Sequence, residues 1–262
     1  MQPKRPSPRR SATKPPMRVM TTTLWEYPSQ HYLSEKTGKE VGVAGKDYTG
    51  ATPSWVIWQL LTRYTRENDL VVDPMAGSGT TLEVARDLGR RAMGYDVAPA
   101  ELRGHRTDVF NADARKLPLE NGKADFVFID PPYSTHVDYG PDPRDIGKLS
   151  AGGEDDGAAY YAAMKQVIAE CHRVLKDRRY FALYVSDSYK KGRPFMPIGF
   201  ELFEMMREKF QPVDIISVVR QNAKLSRGNW HKAAEEGNYF LRGFNYLFIM
   251  KKQVAARDSD SR

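Results

Sequence analysis

Residues 70–81 read Leu70-Val71-Val72-Asp73-Pro74-Met75-Ala76-Gly77-Ser78-Gly79-Thr80-Thr81: an apolar run, a turn holding two glycines, and the start of an amphipathic helix. A strand that passes through such a turn straight into a helix is the opening unit of a parallel α/β sheet. Gly77 and Gly79 let the chain bend tightly and let a ligand approach the backbone, while the helix start leaves N–H groups without partners. The turn therefore suits a nucleotide-like cofactor. No Gly-Lys-Ser/Thr follows, so it is not a phosphate loop, and the Gly-x-Gly-x-x-Gly spacing of dinucleotide sites is absent.

Outward from this stretch, short apolar runs alternate with helical periods. Strands are predicted over Leu70–Val72, Arg91–Tyr95, Asp108–Phe110, Phe126–Ile129 and Tyr180–Val185, with helices over Thr80–Leu88, Ala158–Leu175 and Pro197–Phe210. This alternation implies a mostly parallel, doubly wound sheet. Two further strands, Val213–Val219 and Tyr246–Met250, have no helical period between them and are expected to pair antiparallel at the sheet edge. Upstream, Ser54–Thr65 has helical spacing behind Thr52-Pro53, whereas Leu24–Tyr48 shows neither period and reads as an ordered loop segment.

The chain has 262 residues and a net charge of +7, and residues 1–18 carry Lys4, Arg5, Arg9, Arg10, Lys14 and Arg18 without an acid. The expected division is a disordered basic arm over 1–23, one catalytic domain over 24–252, and a polar tail over 253–262. The arm's charge would suit a polyanion. No apolar run approaches the roughly 20 residues of a membrane span, so no membrane role is expected. A single cysteine, Cys171, lies in the run Val167, Ile168, Cys171, Val174, Leu175 and reads as core; it fits a reducing, cytoplasmic setting. The five histidines show no paired spacing, and no metal is expected.

A second motif carries the chemistry. Phe126-Val127-Phe128-Ile129 runs into Asp130-Pro131-Pro132-Tyr133 at a strand's carboxyl end, where ligands bind in open α/β sheets. The prolines fix the backbone and remove competing N–H donors, so Asp130 and the Pro131 carbonyl can both face one small donor such as an exocyclic amine. Cytosine-C5 chemistry would need a cysteine nucleophile in a loop, and none is present.

Together the two motifs resemble the amino-methylating (N6-adenine and N4-cytosine) DNA methyltransferases, with Met75 where that family usually has Phe. The resemblance implies a Rossmann-like class I methyltransferase fold and S-adenosyl-L-methionine as cofactor. It implies cofactor contacts from Asp73, Pro74, Met75, Gly77, Gly79 and Thr80, from Asp96 to the ribose, from Asp113 and Ala114 to the adenine, and from Thr52 and Pro53 to the methionine end. Catalysis would fall to Asp130, Pro131, Pro132 and Tyr133, the tyrosine stacking on an extruded base. The loops 134–157, 188–194 and 221–242 could meet the nucleic acid. In the last, Lys224, Arg227, Trp230, Lys232 and Tyr239 combine charge with stacking surfaces. DNA is the implied partner, the chain a monomer or homodimer, and a cognate restriction enzyme a partner to look for. Adenine N6 is the first choice of target, because Asp opens the motif. Cytosine N4, guanine N2 of RNA and a non-catalytic nucleic-acid-binding module stay open.

Overall fold

A computed structural model describes residues 14–42, 51–99, 108–132, 142–152, 155–189, 194–220 and 228–254. Among the described residues, eight strands form one sheet: β1 (Leu24–Trp25), β2 (Leu70–Asp73), β3 (Arg91–Asp96), β4 (Val109–Asn111), β5 (Ala124–Ile129), β6 (Leu175–Val185), β7 (Gln211–Val219) and β8 (Phe244–Lys251). Their spatial order is β1-β7-β8-β6-β5-β2-β3-β4. All neighbours run parallel except β8, which lies antiparallel between β6 and β7. The expected antiparallel pairing is therefore present toward one edge, and the two-residue β1 adds to β7 outside it.

The sheet is buried on both faces, which is why its central strands are apolar runs rather than alternating ones. The whole of β5 is buried. Helices α3 (Ala158–Val174) and α4 (Ile198–Arg207) cover one face through Tyr160, Met164, Val167, Cys171, Leu202 and Met206. Helices α1 (Ser54–Tyr64) and α2 (Thr80–Asp87) lie against the other, with Val56, Leu60, Val84 and Ala85 buried there. Cys171 is fully buried, and burial pushes its thiol far up.

Three expectations change. Within the arm read as disordered over 1–23, residues 14–23 are laid along α1: Met17 is buried, Gln59 Nε2 donates to the Arg18 carbonyl at 2.6 Å, and Met20 N donates back to Gln59 Oε1 at 3.0 Å. A buried glutamine amide on α1 gives this extended backbone the partners its own sequence lacks. Within the segment read as loop, Leu24–Trp25 makes β1, and Trp25 and Tyr27 pack beside Trp55 with ring centroids 6.5 and 5.8 Å away. Within 221–242, Gly228–Glu236 forms a helix, α5, that buries no residue. No helix among the described residues is long and apolar enough to cross a membrane.

Candidate active site

From β2 the chain moves outward through α2 to β3 and β4, then returns to β5 on the other side of β2. The carboxyl ends of β2 and β5 thus flank the point where the winding reverses, where a doubly wound sheet opens a crevice. Val71 pairs with Phe126 and Val72 with Val127, so Asp73 and Asp130 leave neighbouring strands at the same end. The two motifs found in the sequence thus lie side by side at one end of the sheet.

The glycine bend is braced by carboxylates from inside. Asp73, buried, accepts from Met75 N at 3.0 Å and from the Thr81 hydroxyl at 2.6 Å, which ties the strand end to the first turn of α2. Gly77 and Gly79 have φ of 48° and 81°, left-handed values that only glycine takes without strain. Gly77 N donates to Asp96 Oδ2 at 3.1 Å, and Ala98 N donates to Asp96 Oδ1 at 3.0 Å. Asp96, at the end of β3, therefore holds the bend while staying partly exposed. The bend sits so tightly on β3 that a Cβ at Gly94 would lie 2.9 Å from both Ala76 Cβ and Leu82 Cδ1.

Asp130 follows the last residue of β5 and accepts from the Thr52 hydroxyl at 2.5 Å, across 78 positions of chain. Thr52 itself is buried, one residue ahead of the Pro53 cap of α1. The Asp130 residue keeps some exposure, but its carboxyl group lies in low-dielectric surroundings. That burial pushes it up to about 7, the nearby Asp73 carboxylate adds to the rise, and the Thr52 hydroxyl and the Arg220 charge oppose it. Burial likewise pushes Asp73 up to about 7, against the two hydrogen bonds it accepts. Asp96 is raised chiefly by burial, with Asp145 contributing.

Pro131 is buried and Pro132 half-buried directly beyond Asp130, while Tyr133 lies outside the described residues. Asp113 is clasped by Arg115, whose Nε and Nη2 bind both of its oxygens at 2.6–3.0 Å, and Ala114 is buried beside it. In the expected nucleic-acid segment, Lys224 and Arg227 lie outside the described residues. Trp230 is half-exposed on α5, Lys232 faces Glu236 at 3.6 Å, and Tyr239 stacks on Tyr189 with centroids 5.3 Å apart.

Three contacts around the site escaped the sequence reading. Arg220, at the end of β7, sits close enough to Asp130 to stabilise its charge and donates to the Ser186 hydroxyl at 3.3 Å. The segment 31–42 closes over the start of both helices: a Cβ at Gly42 would lie 2.6 Å from Ser54 Cβ and 2.9 Å from Thr80 Cγ2. It is pinned there by Asp87, which accepts from the Tyr32 and Ser34 hydroxyls at 2.7 and 2.6 Å. Asp145 lies near Asp96. Spacing in the sequence signals none of these, because each is a contact between distant segments.

With strand order, glycine bend and acidic motif in place, the comparisons with known proteins agree on the class. The chain belongs to the DNA methylase family N6_N4_Mtase, whose profile matches residues 2–104 and 124–260. It is 42% identical over 60 residues to the type II methyltransferase M2.LlaDCHI of Lactococcus lactis subsp. cremoris, 23% of this chain and 22% of that one. It is 34% identical over 74 residues to M1.MboII of Moraxella bovis, 28% of this chain and 27% of that one. The matched stretches thus span about a quarter of these relatives' length. In fold, the chain is similar to one in the complex between the Haloferax volcanii Trm112 methyltransferase activator and a methyltransferase, with TM-score 0.50, 20% identity, and 75% of this chain and 88% of that one covered.

Proposed function

We propose that the chain methylates the exocyclic amino nitrogen of a base in DNA, with adenine N6 as the first target, using S-adenosyl-L-methionine. The observation that carries this reading is the juxtaposition of the two motifs at one end of the sheet: a glycine bend at the end of β2 and Asp130-Pro131-Pro132 at the end of the neighbouring β5.

A cleft between them would suit that cofactor in charge: Asp96 and Asp130, once ionised, would repel a pyrophosphate and welcome a cationic sulfonium. Gly77, Gly79 and the amino-terminal turn of α2 would hold the cofactor, Met75 would offer a soft apolar surface, and Asp96 would reach the ribose. When bound, the cofactor supplies an electrophilic methyl group. Ala114 would line the adenine, beside Asp113, and Thr52 and Pro53 would lie at the opposite end of the cofactor.

The chain's own residues prepare the acceptor. An aromatic amine is a poor nucleophile because its lone pair is delocalised into the ring. Ionised Asp130 and the Pro131 carbonyl would accept its two N–H bonds, pull the nitrogen toward tetrahedral geometry and localise that pair. Thr52 holds the Asp130 carboxylate in place through its hydroxyl. Tyr133 would stack on the base once it leaves the helix. Arg220, Trp230, Lys232 and Tyr239, with Lys224 and Arg227, would meet the backbone and flanking bases, which makes binding fall steeply with salt.

Incubation with methyl-labelled cofactor and either duplex DNA or RNA, followed by mass analysis of nucleosides, tests the reading. N6-methyladenine in DNA is the expected product. N4-methylcytosine would move the target to the first alternative, and product on RNA alone would overturn the reading.

A further inference from the structure

Residues 142–148 follow the acidic motif in the chain and lie on the carboxyl ends of β3 and β4. Arg144 fixes them there: its Nη2 donates to the Val97 carbonyl at 3.1 Å and to Asn111 Oδ1 at 3.2 Å, while Arg115 Nη2 donates to the Arg144 carbonyl at 3.1 Å. The next residue, Asp145, caps a short 3-10 turn over Ile146–Lys148, its Oδ1 accepting from Gly147 N at 2.7 Å.

The second oxygen has no such duty. Asp145 is 8% exposed, and its Oδ2 is enclosed with no hydrogen-bond partner among the described residues. The two guanidinium groups nearby do not serve it, since Arg144 is paired with Asp142 and Arg115 with Asp113. Its charged neighbour is Asp96, whose own oxygens are held by Gly77 N and Ala98 N at the rim of the glycine bend. A fold gains nothing by enclosing an acceptor beside a like charge. Such a group is normally completed by a donor that arrives from outside.

We propose that Asp145 is a cofactor-binding residue, which together with Asp96 grips the two hydroxyl groups of the cofactor's ribose. The inference rests on the reading of the crevice as a S-adenosyl-L-methionine site, and it assigns the diol two acceptors from separate segments. A vicinal diol brings two O–H donors a few ångströms apart. Asp96 reaches one from the end of β3 and Asp145 Oδ2 reaches the other from above it.

Calorimetric titration of the full chain with S-adenosyl-L-methionine and with its 2′-deoxy and 3′-deoxy analogues tests this. Asp145→Asn keeps the shape and the cap but replaces the orphaned acceptor with a donor. It should bind the parent cofactor roughly 10- to 100-fold more weakly, while its melting temperature without ligand holds or rises. The unaltered chain should disfavour both analogues, and Asp145→Asn should lose its preference against one of them. Asp145→Ser supplies a second variant without the carboxylate. Unchanged affinity in these variants, or full retained discrimination against both analogues, would overturn the role of Asp145. Failure of the unaltered chain to bind the cofactor at all would instead reject the function it rests on.

Discussion

Replacing Asp130 by Asn should make the protein more stable at pH 8 while abolishing methyl transfer. In the fold, burial lifts the carboxyl from its ordinary 3.8 to about 7. A gap of about 3 units at ~1.4 kcal/mol each sets a ceiling near ~4 kcal/mol on the cost of holding this group ionised. Residual exposure of Asp130 lets water reduce that, and a measurable gain of ~1–2 kcal/mol follows, or a melting temperature higher by about 2–8 °C for a chain of this size. Between about pH 4 and about pH 7 the folded state holds a proton that the unfolded chain has released, so stability falls as pH rises through that window. The advantage of Asn is therefore complete above about pH 7 and vanishes below about pH 4. Asn keeps an acceptor for the Thr52 hydroxyl, so the fold around it is retained. Thermal melts of both proteins from pH 5 to pH 8.5, with a methyl-transfer assay at each pH, measure the effect. A variant less stable at pH 8, or a stability difference that does not change with pH, would refute the argument that this carboxylate is held against its desolvation cost for function.

Further outcomes follow from the same geometry. In the intact protein the transfer rate should climb with pH through an inflection at about 7 and level off above it, because only ionised Asp130 accepts from the amine; a rate flat from pH 5 to pH 8 would remove that role. Thr52→Val deletes the hydroxyl that favours the ionised form, so the inflection should move to higher pH, as read by pH–rate profiles at saturating cofactor. Asp87→Ala strips the acceptor from Tyr32 and Ser34 and should cost ~1–3 kcal/mol in urea unfolding by loosening segment 31–42 from α2. Trp230→Ala should weaken DNA binding without altering cofactor binding, since α5 buries nothing and faces solvent.

The parts of this molecule legible in the sequence are those fixed by local chemistry. The strand-turn-helix at 70–81 could be read because its period changes within a dozen residues, and Phe126–Ile129 because a strand buried on both faces is apolar throughout. Other elements had no local signal. Leu24–Trp25 is too short to show a period and exists because Trp55 offers it a surface. Helix α5 buries none of its residues, and Trp230, Ala233 and Ala234 are too few apolar positions to announce it. Strand β6 begins at Leu175 rather than Tyr180, with Lys176 and Arg179 pairing with Asp125 across an irregular stretch of charged residues that masks the strand. The site divides the same way. Asp73, Gly77, Gly79 and Asp130 stand out by motif, whereas the Thr52–Asp130 bond, the Arg115 clasp on Asp113 and the orphaned oxygen of Asp145 depend on which segments the topology brings together.

A crystal structure of the protein with S-adenosyl-L-methionine, or its demethylated product, bound in solution at saturating concentration tests the central idea most directly. The sulfur atom should lie between the bend at Gly77–Gly79 and the Asp130-Pro131 segment, with the ribose toward Asp96. Density for the cofactor anywhere other than the mouth between β2 and β5, with Asp130 out of reach of its sulfur, would contradict it.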